Sequence, residues 1–240
     1  MIRTILVFKH MPSQNPGVFR EFAVRRDVVF QEIDLHAGDE VPDLDRFDAL
    51  WVMGGSMQVW EEYLYPWLVR EKQIIREVIR NDVMPFLGVC LGHQLAADAL
   101  GGQTALAEHA EIGIFPVEPS VLGRLHPLMQ GLELAHGWTN VHTAEVTVLP
   151  DGAAVLASSE LCKNNILQLG PRAYSCQFHP EVCEHTMSGW MEIPGIPEFL
   201  QQNLGSDSTK KFADDVQRKL PELNKNSERL FDNWLDLVFD

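Results

Sequence analysis

Between Val83 and Leu100 a short apolar run passes into a helical pattern with no loop between them, and the junction reads Gly88-Val89-Cys90-Leu91-Gly92-His93-Gln94. So sharp a strand-to-helix turn needs side chains to be absent on both flanks, and Gly88 and Gly92 meet that need. A turn of this kind sits at the carboxyl edge of a parallel sheet whose crossovers are helices. The preceding residues repeat the theme. Thr4 to Phe8, Val28 to Leu35 and Asp48 to Met53 are apolar runs of strand length, and the third stops abruptly at Gly54-Gly55. Paired glycines there mark a tight turn where backbone must come close to something. Pro66 to Asn81 carries Trp67, Ile74, Ile75, Val78 and Ile79 at helical spacing, and Leu91 to Leu100 is a helix closed by Gly101-Gly102. The alternation predicts an α/β fold: a mainly parallel, mixed open sheet with helices on both faces.

From Ile112 to Gln177 short β-like runs are separated by turns at Pro119, Pro127, Pro150-Asp151-Gly152 and Gly170-Pro171, which predicts sheet with few helices. Beyond Pro197, Ser206 to Lys219 and Glu222 to Phe239 predict two charged amphipathic helices split by Pro221. The 240 residues therefore read as one domain over 1–195 and a C-terminal helical extension over 196–240 packed on or near it.

Charge narrows the partners. Nineteen Lys and Arg against 34 Asp and Glu leave a net charge of −15. Such a surface repels phosphate backbones and anionic membranes, so neither nucleic acid nor a membrane is an expected partner. No apolar run approaches the roughly 18 residues of a membrane span. The N-terminal run reads as a buried strand and not as a signal peptide. Four cysteines (Cys90, Cys162, Cys176, Cys183) without CxxC or zinc-type spacing suit a reducing cytoplasm, not a disulfide framework. His10, His36, His109, His126 and His136 are scattered without ligand spacing and read as core or surface residues.

An arbitrary cysteine is most often a buried structural residue. Cys90 differs because Gly-x-Cys-x-Gly-x-Gln should arise by chance in roughly one chain in a thousand of this size. The helix start beneath its sulfur places partial positive charge there, and the Leu91 amide is positioned to bond an oxyanion. A thiol nucleophile also needs a base and a group to orient it. Gln177-Phe178-His179-Pro180-Glu181 supplies both, since period-2 alternation puts His179 and Glu181 on one side with Pro180 rigid between them. Taken alone, His179 would more often be a surface histidine and Glu181 a solvated charge. Only with Cys90 do they make a triad.

These motifs, in this order, resemble the class I (triad-type) glutamine amidotransferases, in the branch that includes the glutaminase domain of GMP synthetase and stand-alone relatives. The resemblance covers about residues 1–195. It rests on Gly54-Gly55-Ser56-Met57, Tyr65-Pro66-Trp67-Leu68, the Cys90 turn, Ala99-Leu100-Gly101-Gly102, Glu111-Ile112-Gly113 and Gln177 to Glu181. It implies a flavodoxin-like sheet and a Cys90–His179–Glu181 triad. It also implies an oxyanion hole from the Gly55 and Leu91 amides, substrate contacts from Gly54, Gln94 and His142, and no metal or organic cofactor. Relatives often carry His-Gly-Asp in the segment Trp138 to Pro150, whereas this chain has His142-Thr143-Ala144 followed by Glu145. The missing aspartate predicts weaker recognition of free glutamine, or a need for a partner.

The expected activity is cleavage of the γ-amide of glutamine or a γ-glutamyl compound through a γ-glutamyl thioester. The residues after 195 are too few for an ATP-dependent synthetase domain, so either ammonia passes to a separate synthetase subunit or hydrolysis or γ-glutamyl transfer is itself the expected function. A γ-glutamyl peptidase with the same triad is the alternative. A non-catalytic regulatory subunit retaining the fold is disfavoured by the intact triad. So is a peptidase of the Ala-Cys-His-Gly type, because Leu91-Gly92 follows Cys90.

Overall fold

The structure, a computed structural model, describes residues 1–239; Asp240, the end of the expected extension, lies outside the described residues. The elements in order are β1 (Arg3–Lys9), α1 (Phe19–Arg25), β2 (Val28–Asp34), β3 (Ala49–Val52), α2 (Trp67–Arg80), β4 (Phe86–Val89) and α3 (Leu91–Ala99). Then come β5 (Gln103–Phe115), β6 (Glu118–Pro119), α4 (Val121–Leu125), β7 (Trp138–Val148), β8 (Ala154–Ser158), β9 (Ile166–Gly170) and β10 (Ala173–Cys176). Three helices follow: α5 (Thr186–Met191), α6 (Ile196–Leu204) and α7 (Ser206–Phe239).

The main sheet has eight strands in the order β2-β1-β3-β4-β10-β9-β8-β6. The first five run parallel, and β9, β8 and β6 add antiparallel pairs at the far side. Each central strand is apolar on both faces because both faces are covered. Leu6, Phe8, Leu50, Val52 and Phe86 pack with α2 and α3, while the alternate residues Ile5, Val7, Trp51, Leu87 and Val89 pack with α1 and α7. The fold is thus the α/β arrangement that the strand–helix alternation predicts.

Two elements differ from the sequence expectation. β5 begins at Gln103, well before Ile112, and pairs with β7 as a separate antiparallel ribbon. Its first half is largely exposed and mostly polar, so it lacks the apolar alternation that reveals a strand. The two expected C-terminal helices form one, α7, with Pro221 inside it. Proline removes one hydrogen bond to the preceding turn but does not end the helix. Buried residues on both sides of Pro221, from Phe212, Val216, Leu220 and Leu223 to Leu230, Phe231 and Trp234, hold the two halves in line against the core.

Candidate active site

Three adjacent parallel strands, β3, β4 and β10, end at the same edge of the sheet. From these ends emerge Gly54-Gly55, Cys90 and the segment leading to His179 and Glu181. Cys90 has φ of +51° and ψ of −103°, a conformation costing a side-chain-bearing residue about 1–3 kcal/mol. Three backbone bonds hold it there. The Cys90 N–H donates to the Cys176 carbonyl at 2.9 Å, the Gln94 N–H to the Cys90 carbonyl at 3.1 Å, and the Gly92 N–H to the Met53 carbonyl at 3.2 Å. A Cβ on Gly92 would lie 2.0 Å from the Val52 oxygen, and one on Gly88 would lie 2.6 Å from the Gly92 oxygen. Both glycines are therefore steric requirements of the turn.

His179 is fixed from two sides. Its N–H donates to the Thr139 carbonyl at 2.8 Å, and its ring meets Trp190 edge-on at 4.9 Å between centroids. Its Nδ1 lies 2.7 Å from Glu181 Oε1, with both side chains buried. Burial opposes a charged imidazole, but the Glu181 carboxylate and the Cys90 sulfur outweigh it and push the His179 pKa up to about 10. The same contacts put the ring within hydrogen-bonding reach of Cys90. Sulfur, imidazole and carboxylate are thus neighbours, a set of groups chemically able to share a proton.

The backbone supplies donors nearby. Leu91 is the first residue of α3, so its N–H points out of the helix N-terminus, and Gly55 lies in the turn after β3. Among the described residues no protein group accepts from either N–H. Both residues border a cavity of about 310 Å³ or its rim: Gly55, Cys90, Gln94 and His179 line it, and Leu91 abuts Gly55.

Gln94 belongs to a chain of hydrogen bonds. Its Nε2 donates to the Ala144 carbonyl at 2.8 Å and to Gln177 Oε1 at 3.1 Å, and Gln177 Nε2 reaches the Cys90 sulfur at 3.7 Å. His142 also lines the cavity, but both ring nitrogens are engaged. Nδ1 lies 3.1 Å from the Ala144 carbonyl, and Nε2 lies 2.8 Å from Glu111, which also accepts from Ser159 at 2.6 Å. The expected substrate residue His142 thus contributes wall and stiffness and has no free ring nitrogen. Gly54 sits behind the cavity, where a Cβ would lie 2.7 Å from Gln14 Oε1 and 3.1 Å from the His179 ring.

Gln14, Gln177 and Trp190 are site residues that sequence reasoning missed. The Gln14 side chain lines the cavity, is 8% exposed, and its Oε1 has no hydrogen-bond partner. Its position in the loop after β1, at the same sheet edge, was the available signal. Among the described residues no group of three or more His, Cys, Asp or Glu has an arrangement that could hold a metal ion. None of their helices is long and apolar enough to cross a membrane.

Residues 18–190 match the sequence profile of the family described as glutamine amidotransferase class-I. The chain belongs to that family. This class-I amidotransferase is 30% identical over 214 residues to the glutamine amidotransferase-like protein YfeJ of Salmonella typhimurium, covering 86% of this chain and 85% of that protein. It is 32% identical over 154 residues to one subunit of the glutamine-hydrolysing GMP synthase of Sulfolobus acidocaldarius, covering 62% of this chain and 74% of that one. The crystal structure of a glutamine amidotransferase from Thermotoga maritima superposes with a TM-score of 0.86 at 24% identity, over 98% of this chain and 99% of the other, a likeness of fold.

Proposed function

We propose that this amidotransferase hydrolyses the γ-amide of glutamine or of a γ-glutamyl compound through Cys90, His179 and Glu181. The observation that carries the reading is the buried 2.7 Å His179–Glu181 pair beside a cysteine in a strained turn at a helix N-terminus. The Cys90 sulfur attacks the carboxamide carbon, and the resulting oxyanion accepts from the Gly55 and Leu91 amides. The tetrahedral intermediate collapses as His179 gives a proton to the departing ammonia or amine, leaving a γ-glutamyl thioester. His179 then takes a proton from water, whose oxygen displaces the sulfur and releases glutamate. No step calls for a metal or an organic cofactor. The likeness to one subunit of a GMP synthase supports delivery of the ammonia to a separate synthetase subunit.

The cavity lining bears on the substrate. Among the described residues it contains no Asp, Glu, Lys or Arg, although free glutamine brings an ammonium and a carboxylate. Ala144 is buried in this wall, and Glu145 interacts instead with the Cys162 thiol. Losing one charge-assisted bond costs about 1.5–3 kcal/mol, or about 10- to 150-fold in affinity. The lining also has an apolar wall, formed by Trp190, Ile193, Pro194, Ile196 and Phe199. That wall favours, as a second reading, a γ-glutamyl peptidase whose leaving amine is bulkier than ammonia.

Incubation with glutamine and a panel of γ-glutamyl amides, reading ammonia, glutamate and free amine, tests both. Glutamate release is expected and should vanish in Cys90→Ala. Ala144→Asp should lower KM for glutamine without raising kcat. A low KM for glutamine that Ala144→Asp leaves unchanged would remove Ala144 from the ammonium site. Absence of glutamate from every substrate would instead identify a regulatory subunit that retains the fold.

A further inference from the structure

His10 follows the carboxyl end of β1, the neighbour of β3, and is completely buried. Its Nδ1 lies 2.8 Å from the Gly54 carbonyl oxygen, and its Nε2 lies 2.9 Å from Glu71 Oε1 on α2. Glu71 is equally buried, and Trp67 stacks nearly parallel on the imidazole at 5.4 Å. A carbonyl oxygen only accepts, so Nδ1 carries a proton. Burial disfavours a charged imidazole, yet Glu71 prevails and raises the His10 pKa. The ring therefore donates its Nδ1–H to the Gly54 carbonyl while its Nε2 is held by Glu71.

The Gly54 carbonyl and the Gly55 N–H are the two ends of one planar peptide unit. A hydrogen bond from an imidazole N–H backed by Glu71 to that oxygen draws electron density from the nitrogen and strengthens its N–H as a donor. It also fixes the direction in which the N–H points. Gly55 has no side chain to hold that plane. A Cβ there would lie 2.7 Å from Leu91 Cδ2 and 2.9 Å from His10 Cβ. A buried polar pair such as His10–Glu71 adds little to stability that well-packed apolar residues could not supply. Its location directly beneath this peptide points to a purpose in the site.

We propose that His10, held by Glu71, is a positioning residue for oxyanion binding: it pins and polarises the Gly54–Gly55 peptide so that the Gly55 N–H meets the developing oxyanion. The proposal rests on the reading that Cys90 attacks a carboxamide.

The decisive variant is His10→Leu/Glu71→Leu, which removes the donor without leaving a buried charge. In the protein carrying it, kcat should fall about 10- to 100-fold with KM within about threefold, a smaller loss than removal of an oxyanion donor itself. Alkylation of Cys90 by iodoacetamide forms no oxyanion, so its rate should stay within about twofold of wild type. His10→Asn/Glu71→Gln restores a donor to the same carbonyl and should recover part of the lost kcat. Equal losses of hydrolysis and alkylation would mean general loosening and would overturn the proposal. If the leucine pair does not fold, Glu71→Gln alone should still lower kcat at unchanged alkylation, and wild-type kcat in that variant would overturn it. Cys90→Ala separates the two levels. If it retains hydrolysis, the catalytic reading falls and takes the proposal with it. If it is inactive while His10→Leu/Glu71→Leu keeps wild-type kcat, only the proposal falls.

Discussion

At the scale of single residues, the cysteines differ in their surroundings. Burial, and then the charges of Glu111 and Glu145, push the Cys162 thiol well up, and burial followed by Glu181 does the same to Cys176. Both are held as inert thiols, whereas Cys90 has His179 beside it. The raised pKa of His179 sets a pH window. Its stabilisation is complete below the ordinary histidine pKa of 6.5 and is lost as pH rises through about 10. Glu181→Gln removes the largest force raising that value, so the alkaline limb of kcat/KM should retreat toward neutrality. If Glu181 is the triad acid of the proposed mechanism, kcat should drop by about two to four orders of magnitude with the fold intact. Unaltered rate and alkaline limb would place Glu181 outside the chemistry. His93, one residue past Gly92, has the opposite sign. Burial, and then the charge of His142, hold its pKa down at about 3, while the unfolded chain protonates near 6.5. The stabilisation from neutral His93 is therefore full above 6.5 and is lost as pH falls toward 3. Denaturant unfolding at several pH values should find the acid slope of His93→Gln shallower by up to about 1.4 kcal/mol per pH unit. Equal slopes would exclude His93 as a source of acid sensitivity.

Among the elements, those with strong periodicity were legible in the sequence. The helix over 66–81 appears as α2, and the strand–helix junction at Cys90 appears where Gly88 and Gly92 demanded it. His179 and Glu181 share a side, as alternation around Pro180 requires. The β5–β7 ribbon was not legible, because its exposed half carries Glu108 and His109 where an apolar face would announce a strand. Nor were His10 and Gln14, whose meaning depends on β1 lying beside β3, a fact of topology and not of local pattern. Helix α7 was read as two because Pro221 breaks the backbone ladder, while the tertiary packing that overrides it cannot be seen locally. Pro221→Ala tests this account. Alanine restores an N–H to the preceding turn and should stabilise the protein by about 1–3 kcal/mol with little change in helix content. A loss of stability would mean that the proline ring itself fills a needed space.

For the whole molecule, the question is how far α7 is separable. Its Phe231 and Trp234 meet Trp51 of the central sheet at 5.9 and 5.4 Å between ring centroids, and Arg26 pairs with Asp232 and Asp236. The cavity crosses the expected boundary at 195 as well, since Ile196 and Phe199 line it together with Cys90. Removing residues 206–240 should therefore abolish cooperative unfolding, because each large buried aromatic lost costs about 3–5 kcal/mol against a total of about 5–15. A truncated chain with a sharp melting transition would establish 1–205 as self-sufficient. The convergence of β3, β4 and β10 at one edge also has a consequence for synthesis. His179 leaves the ribosome roughly 90 residues after Cys90, a delay of about 5–20 s at ordinary elongation rates. Throughout that interval the nascent thiol lacks its histidine, so under the proposed mechanism the growing chain should not consume glutamine before its sheet is closed.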